Sequence, residues 1–436
     1  MLKSSGAAEL EKRVMGKFFR RIIPFLGLLY IATFMDRVNV GFAALSMNEE
    51  LGFSNTVYGL GAGIFFLGYF IMEVPGNLIM ERVGARFWIA RILITWGLIS
   101  GLTAWVSTPM QFYGARFLLG IAEASFFPGI LYYLSTWCRS SYQAKAVAFF
   151  MMSLPICNII VAPLSTYILG ITWMGLSGWK WLFILEALPS LILGLLTPLF
   201  LTNRPQDAKW LDQGERAWLV NALAAESAAK LEQKRYSLFQ AFSDRDVLIL
   251  SAIYFTWVCG FYGVTLFLPI LVKALSSTMT NRTVGYLVMA PYILGFFAMY
   301  AIGHNSDKTG ERRYHTVAGM LTGALGLAGS VFVADISITV SMIFYTIAVV
   351  GIYGSFGPFW SIPSSFLTTT AAAGVFAMIN SIGNLGGFVG PYAMGFIRDA
   401  TGSFTGGVIF LVACMLTAAA LIMALGKAGK LAEQSR

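Results

Sequence analysis

Apolar runs separated by short polar breaks recur along almost the whole chain. Each run reaches or approaches the roughly 20 residues that a helix needs to cross a bilayer. The pattern therefore predicts an all-α polytopic membrane protein with twelve transmembrane helices. The predicted spans are 22–46, 56–80, 87–106, 111–137, 144–169, 180–201, 247–274, 283–303, 316–334, 336–359, 371–397 and 403–426.

One polar stretch, 202–246, is longer than any other break and holds seven basic and seven acidic residues. It has six predicted spans on either side, and its part from Lys209 to Leu223 is amphipathic enough to lie along a membrane surface. We interpret the stretch as a linker rather than a folded domain. This interpretation predicts an N-terminal six-helix bundle at 1–201 and a C-terminal six-helix bundle at 247–436.

Composition and charge placement agree with a membrane protein. The chain is 57% hydrophobic and only 12% charged, against about 25% charged in soluble domains. With the N-terminus placed in the cytoplasm, 24 of the 30 basic residues lie in or next to cytoplasmic segments and four lie on the other side. The positive-inside rule then puts both termini and the linker in the cytoplasm. This bias explains the net charge of +9 without nucleic acid, which we do not expect as a partner.

The residues needed for several other functions are missing from the sequence pattern. The four cysteines and two histidines show no metal-ligand spacing, so we expect no metal and no cofactor. No span carries paired histidines or a nucleophile beside a base, which argues against a membrane enzyme. A membrane sensor would need a folded signalling domain, and the linker is too short and too polar. The basic N-terminus leads into a run too long for a signal peptide, and no cleavage site follows.

Two pairs of charged residues stand out inside predicted spans, Asp36 with Arg37 and Arg116 with Glu123. A charge near the centre of a span costs roughly 2.5–3.5 kcal/mol on insertion scales. Such residues must pair, line a wet cavity or carry ions. Arg116 and Glu123 are seven apart and project from nearly one helix face, whereas the adjacent Asp36 and Arg37 point about 100° apart. Structural ion pairs, Asp36–Arg116 or Arg37–Glu123, are the alternative interpretation.

A polar loop pattern recurs after the second and eighth spans. Glu81-Arg82-Val-Gly84-Ala-Arg86 and Asp307-Lys308-Thr-Gly310-Glu-Arg312-Arg313 are related by an offset of 226 residues, and Pro163 and Pro391 recur at 228. The offsets indicate two parallel repeats. An acid at a helix end can pair with an arginine of a neighbouring helix and hold one conformation closed. The alternative is that these charges only orient the chain in the membrane.

These loops resemble the signature of the major facilitator superfamily, and the second copy matches it well. The first copy departs from it, with Asn77 for the leading glycine and Glu81 for the usual aspartate. Longer stretches resemble the anion:cation symporter family within that superfamily: 34–39, 73–77, 116–129, 178–189 and 203–211. The resemblance implies two pseudo-symmetric six-helix bundles and the import of organic anions. Within the family the chain is most similar to bacterial permeases for tartrate, sugar acids and hydroxylated aromatic acids.

The resemblance also implies roles for the four buried charges. In symporters of this family the matching acids take up protons and the matching arginines hold the substrate carboxylate. Asp36 and Glu123 are then the proton carriers, and Arg37 and Arg116 the anion ligands. An arginine suits this role because its planar fork binds a carboxylate through two parallel hydrogen bonds. If the substrate anion replaces the acid as the partner of an arginine, the acid is left without a cation, favours its neutral form and binds a proton.

We expect the protein to be a monomer.

The second half has no acid or base well inside spans seven to eleven. Polar or aromatic side chains are the candidates there: Tyr262, Tyr353, Trp360, Ser361, Asn380, Ser381 and Asn384. Asn380 and Asn384 are one helical turn apart, a spacing suited to hydrogen-bonding hydroxyl groups. Tyr69 in the second span matches a cavity tyrosine of the family. For each of these, helix packing is an alternative to substrate contact. Glu73 and Glu186 lie near span ends beside prolines, where we favour interfacial or structural roles.

Drug export driven by protons is the rival transport function. Exporters of the superfamily carry a Gly-Pro motif with further glycines on the fifth span. Here that stretch reads Val161-Ala162-Pro163-Leu164-Ser165. The missing glycine weighs against export, and uptake of an organic carboxylate is the function that the sequence favours.

Overall fold

The described chain is helical throughout. The computed structural model describes residues 2–231, 245–334, 336–366 and 369–425, within which it contains seventeen α-helices, two short 3₁₀ helices and no strand. The helices before the linker are α1 (Leu2–Leu51), α2 (Asn55–Val83), α3 (Ala85–Leu102), α4 (Pro109–Glu123), α5 (Phe126–Trp137), α6 (Ser140–Met151), α7 (Ser153–Ile168) and α8 (Gly178–Phe200). The remaining helices are α9 (Gln213–Leu231), α10 (Arg245–Ala274), α11 (Asn281–Thr309), α12 (Arg313–Val333), α13 (Ile338–Gly354), α14 (Phe356–Phe366), α15 (Thr369–Asn384), α16 (Gly386–Thr401) and α17 (Thr405–Ala424).

The predicted fold class is confirmed. Eleven helical segments of the described chain are long and apolar enough to cross a membrane, and they fall on eleven of the predicted spans. The remaining predicted span, 371–397, falls on α15 and α16. The protein is therefore an all-α polytopic membrane protein with the twelve-span architecture of two six-helix bundles. Asp335, which separates two predicted spans, lies outside the described residues.

Several predicted spans are pairs of helices with a break between them, at Ala124–Ser125, Met152, Ser355 and Leu385. Ser125 has a φ of 71°, a left-handed conformation that is uncommon for a residue other than glycine. It is fully buried, and its hydroxyl accepts a hydrogen bond from Trp88 Nε1 at 3.1 Å. A break frees backbone groups that lipid cannot satisfy, so it is tolerated only where protein covers it. The hydrophobic pattern does not reveal such a break.

The helices before the linker, α1–α8, form what we call the first half, and α10–α17 form the second half. The two halves meet where α2 packs on α16, α7 on α11 and α1 on α10. The α2–α16 contact is between backbones: a Cβ on Gly59 would lie 2.3 Å from the carbonyl oxygen of Pro391, and one on Gly395 would lie 2.0 Å from that of Asn55. Glycine is required at both positions, as in other closely packed membrane helices.

The halves are closed at one end of the molecule. We call the end that carries the linker and the start of α1 the linker end, and the other the loop end. At the loop end the Asp399 carboxylate accepts hydrogen bonds from the backbone N–H groups of Asn55 (3.2 Å) and Thr56 (2.6 Å). Burial raises the pKa of Asp399, but hydrogen bonds from Thr56 and Asn55 outweigh it and lower the pKa to about 2. The carboxylate of one half thus caps the first turn of α2 in the other.

The described part of the linker is docked on the first half. Asp212 Oδ1 accepts the backbone N–H of Glu215 at 2.7 Å, and Glu215 Oε2 accepts that of Asp212 at 3.1 Å, a reciprocal arrangement that starts α9. The buried Glu215 side chain also binds Lys17 at 2.7 Å and Arg13 at 3.1 Å. The linker helix is therefore tied to the beginning of α1 by ion pairs.

Candidate functional site

A cavity lies between the two halves, and both contribute to its wall. The space between the lining residues, counted together with the part that opens to solvent, is about 480 Å³. The described residues that line it are mostly aromatic, and Arg37 alone among them is charged. They are Tyr30, Arg37, Tyr69, Phe127, Met151, Leu154, Tyr254, Trp257, Val258, Phe261, Tyr262, Phe356, Trp360, Asn380 and Asn384.

Arg37 joins the two halves at this cavity. Its guanidinium forms an ion pair with Glu123 of α4 and donates a hydrogen bond to the Tyr262 hydroxyl of α10 at 2.5 Å. The ring centroids of Phe65 and Tyr69 lie 5.2 and 5.7 Å from the guanidinium carbon. The Glu123 carboxylate and the aromatic faces together offset the cost of burying the Arg37 charge, so no second acid is needed. Arg37 lines the cavity, and its Nε atom has no hydrogen-bond partner among the described residues.

Asp36 points away from the cavity, as the angle between adjacent helical residues requires. Its carboxylate accepts hydrogen bonds from Ser100 Oγ at 2.5 Å and Ser190 Oγ at 2.8 Å, with Asn39 Nδ2 at 3.5 Å. It therefore lies inside the first half, among α1, α3 and α8. The structure shows no Asp36–Arg116 ion pair among the described residues.

Arg116 is also buried inside the first half and does not line the cavity. Its Nε and Nη2 atoms have no hydrogen-bond partner among the described residues, and its guanidinium carbon lies 5.3 Å from the Phe65 ring centroid. A Cβ on Gly120, one turn along α4, would lie 1.9 Å from the Phe65 carbonyl oxygen. The close α2–α4 contact thus holds Arg116 against Phe65, in the same cluster as Arg37.

The second half supplies aromatic and amide groups to the cavity. Trp360, Asn380 and Asn384 line it, as does Tyr69 of the first half, so the structure brings these predicted residues together with Arg37. The Trp360 ring stacks edge-on against Tyr254 at 4.9 Å. Tyr353 does not line the cavity among the described contacts; its hydroxyl accepts a hydrogen bond from Asn158 Nδ2 at 3.0 Å.

Two further acids are buried near the site. Glu73 of α2 accepts hydrogen bonds from Asn380 Nδ2 (2.6 Å) and Ser381 Oγ (2.5 Å), so it connects the two halves. Glu186 of α8 accepts one from Ser165 Oγ at 2.5 Å, within the first half. For both acids the sequence favours interfacial or structural roles; in the structure each is buried and hydrogen-bonded, Glu73 to the other half and Glu186 within its own.

The predicted gating residues lie at the linker end. Asp307 pairs with Arg312 of the same loop, and its side chain is 69% exposed. The neighbouring Arg313 donates to the carbonyl oxygens of Ile422 and Met423 at the end of α17. In the first copy of the loop, Glu81 and Arg82 are exposed and have no ion pair among the described residues, while the Arg86 backbone N–H donates to Asn203 Oδ1 at 2.9 Å. The described contacts place no loop-to-loop ion pair across the two halves.

Sequence reasoning missed most of the aromatic wall. Tyr254, Trp257 and Phe261 follow one another at helical spacing on α10, and Tyr262 lies on the same side. An aromatic stripe of this kind is the signal that could have identified them, although in a buried helix it does not differ from a packing face.

In the described residues no group of three or more histidines, cysteines or acids could hold a metal ion.

Comparison with known proteins identifies relatives over nearly the whole chain. The sequence model described as Major Facilitator Superfamily matches residues 26–391. A protein of Agrobacterium vitis named "Putative tartrate transporter" is 46% identical over 98% of this chain and 94% of its own length. A protein of Acinetobacter baumannii named "Quinolone resistance transporter" is 38% identical over 94% of each chain.

The fold also matches a solved structure. A bacterial homologue of the human lysosomal transporter Spinster, in a structure titled inward-facing and unoccupied, superimposes with a TM-score of 0.74. The match covers 92% of this chain and 96% of the other, at 16% sequence identity. At that identity the likeness concerns the fold alone.

Proposed function

The chain belongs to the Major Facilitator Superfamily, a superfamily of transporters, and we propose that it imports an organic carboxylate together with protons. Its sequence and its relatives place it with the anion:cation symporter type. The substrate class that we propose is a sugar acid, a tartrate-like acid or a hydroxylated aromatic acid. No catalytic role is part of the proposal.

The observation that carries the proposal is the setting of Arg37. Of the described cavity-lining residues it alone is charged, and it is placed to attract an anion into an otherwise neutral, aromatic cavity. An arginine presents five donors in a fixed fork, and Glu123 and Tyr262 occupy only part of them. A substrate carboxylate can therefore reach the guanidinium from the cavity side.

Proton coupling follows from competition for that arginine. A carboxylate that binds Arg37 in two-pronged geometry competes with Glu123, because both are anions seeking the same donors. Glu123 is buried, so once separated from Arg37 it favours its neutral form and takes up a proton. The anion and the proton then travel together. Asp36, enclosed by two serine hydroxyls, is the second proton carrier in this proposal, and Arg116 is a second anion ligand in another conformation of the cycle.

The proposed cycle also uses the contacts between halves. Arg37 bonds to Tyr262 across the interface, so a substrate that reorients Arg37 weakens that link. We place the linker end in the cytoplasm of a bacterial cell, with the protein in the inner membrane, because most basic residues lie at that end. The closed loop end then faces outward, and the structure corresponds to an inward-facing arrangement. The repeated loops at Asp307 and Glu81 close the linker end in the opposite state.

Proton-driven export of organic compounds is the second candidate, and the relative named for quinolone resistance is the observation in its favour. The fifth-span stretch around Pro163 lacks the exporter glycine, which argues the other way. The two functions differ in the direction in which a proton gradient drives net movement.

Uptake into proteoliposomes tests the proposal. Purified full-length protein is reconstituted, and radiolabelled tartrate, galactonate and 4-hydroxybenzoate are offered with an acidic exterior, with no pH gradient, and with a proton ionophore. We expect accumulation of at least one of them above its external concentration, and loss of that accumulation with the ionophore. Accumulation that a sodium gradient drives and a pH gradient does not, or net movement only into the acidic compartment, would contradict proton-coupled import.

A further inference from the structure

Glu73 is a buried acid that the proposed transport cycle does not use. It is 1% exposed and lies on α2, one helical turn after the cavity-lining Tyr69. Both of its oxygens accept hydrogen bonds from neighbouring residues of α15, Oε1 from Asn380 Nδ2 and Oε2 from Ser381 Oγ. No cation forms an ion pair with it among the described residues. Among the described residues, the hydrogen bonds to its carboxylate therefore come from the opposite half.

The hydrogen bond between Asn380 and Glu73 determines which end of the Asn380 side-chain amide faces the Glu73 carboxylate. A carboxylate accepts hydrogen bonds and donates none, so the amide must present its NH₂ group to Glu73. The amide oxygen is the opposite end of the same planar group, and it has no hydrogen-bond partner among the described residues. Since Asn380 lines the cavity, this oxygen is the acceptor that it can offer to a substrate.

Asn384 gives a useful contrast. It lies one turn further along α15 and also lines the cavity, but the structure shows no hydrogen bond to its side chain within the described chain. Its amide can present either the oxygen or the NH₂ group. Of these two cavity asparagines, Asn380 is the one whose amide is oriented by a described hydrogen bond to an acid.

We propose that Glu73 is a positioning residue that holds the Asn380 amide oxygen toward the cavity and thereby makes the transporter select carboxylates that also carry a hydroxyl group. The inference rests on the proposed function in one respect, that the ligand is a carboxylate held by Arg37. The hydroxyl donates to Asn380 Oδ1 from the other side of the cavity. A carbonyl group at the same place is rejected, because two acceptors then face each other without a proton between them.

The test compares hydroxy acids with their carbonyl counterparts. Binding to the purified full-length protein in detergent is measured by calorimetry for 3-hydroxybutyrate and acetoacetate, malate and oxaloacetate, and 4-hydroxybenzoate and 4-formylbenzoate. In the wild type we expect the hydroxyl member of at least one pair to bind about tenfold more tightly, the value of one hydrogen bond of about 1.4 kcal/mol. The assay needs no proton gradient.

The informative variant is Glu73→Gln, because glutamine can donate to Asn380 Oδ1 and so allows the amide to turn over. We expect the preference to fall to about twofold or less, mainly through tighter binding of the carbonyl member. A purely structural role for Glu73 would weaken both members alike and would overturn the inference. Ser381→Ala, which leaves the Glu73–Asn380 bond in place, is the matched control and should keep the wild-type preference.

Asn380→Ala tests the inference even if Glu73→Gln does not fold. This variant should bind the hydroxy acid and its carbonyl counterpart with similar affinity. Adding Glu73→Gln to it should leave the ratio of the two affinities unchanged. A preference that survives in Asn380→Ala would overturn the inference while leaving carboxylate transport intact. Failure of all six acids to bind the wild type would overturn this inference, whereas the proposed function is tested separately by the uptake of tartrate, galactonate and 4-hydroxybenzoate.

Discussion

At the scale of single residues, the adjacent pair Asp36 and Arg37 shows what the sequence could and could not predict. The sequence placed both in a span and required that they point apart, and the structure puts Arg37 at the cavity and Asp36 inside the first half. The partner of Arg37 in the other half, Tyr262, was one of several polar candidates with nothing to single it out. A contact between residues 225 positions apart depends on how the two bundles pack, and the local pattern of residues along the sequence carries no information about that packing.

The two buried arginines should respond differently to a change that keeps their charge. Arg37→Lys removes the two-pronged geometry at the cavity wall, so we expect substrate affinity to fall about tenfold or more. Arg116 does not line the cavity in this conformation, so Arg116→Lys should affect transport rate more than binding in detergent. Calorimetry and uptake on both variants give the comparison. Equal and near-normal affinities would show that Arg37 is structural.

Asp36 allows coupling to be separated from binding. Asp36→Asn can keep the hydrogen bonds to Ser100 and Ser190 only in part, but it leaves the cavity wall unchanged. We expect substrate exchange down a gradient to persist, whereas accumulation driven by a pH gradient is lost. Glu49→Gln, which alters an exposed acid, is the control and should accumulate normally. Uphill uptake by Asp36→Asn at the wild-type level would remove Asp36 from the coupling mechanism.

At the scale of helices, hydrophobic pattern predicted where spans lie but not where they break. The left-handed Ser125 divides the fourth span, where Pro128 has no backbone N–H to bond to the carbonyl oxygen of Ala124 four residues earlier. The amphipathic segment predicted from Lys209 to Leu223 became a helix that starts later, at Gln213, because Asp212 and Glu215 form the reciprocal cap there. The close contacts of α2 with α16 depend on glycines. The sequence contains these glycines, but it does not reveal which residues of the other helix they contact.

Gly59 tests the contact between α2 and α16. A Cβ there would lie 2.3 Å from the carbonyl oxygen of Pro391, so Gly59→Ala should force the loop end apart and slow turnover. A cysteine at the buried Thr265, in a background without native cysteines, should then label faster with an impermeant reagent. Gly114→Ala is the matched control, since nothing lies within 4 Å of a Cβ at Gly114. Unchanged labelling and turnover in Gly59→Ala would show that this contact does not set the conformation.

At the scale of the whole molecule, the two halves meet at the loop end and around the cavity, while the repeated loops lie exposed at the linker end. In this arrangement the Asp307–Arg312 pair stays within one loop and, being largely exposed, contributes little to stability. Alternating access requires the opposite end to close in turn. The loops carry the charges for that closure, and their recurrence at a fixed offset is what the sequence alone could show.

Asp307→Asn should therefore affect the conformation that the structure does not show. We expect the state with a closed linker end to be destabilised, so that turnover falls several-fold, about the effect of 1 kcal/mol, while binding in detergent changes little. Turnover is measured by uptake, and closure by labelling of a cysteine introduced at Leu154 on the cavity wall. If both stay at wild-type values, the loop charges serve only to orient the chain in the membrane.

The central claim is that a substrate anion displaces Glu123 from Arg37 and that Glu123 then takes up a proton. Proton uptake on binding measures this directly: a carboxylate that the transporter carries is added to purified protein in weakly buffered solution with a pH indicator. The account predicts uptake of about one proton for each anion bound at neutral pH. Glu123→Gln should still bind the anion but take up no proton at this site. Binding without proton uptake in the wild type, or unchanged proton uptake in Glu123→Gln, would contradict the account.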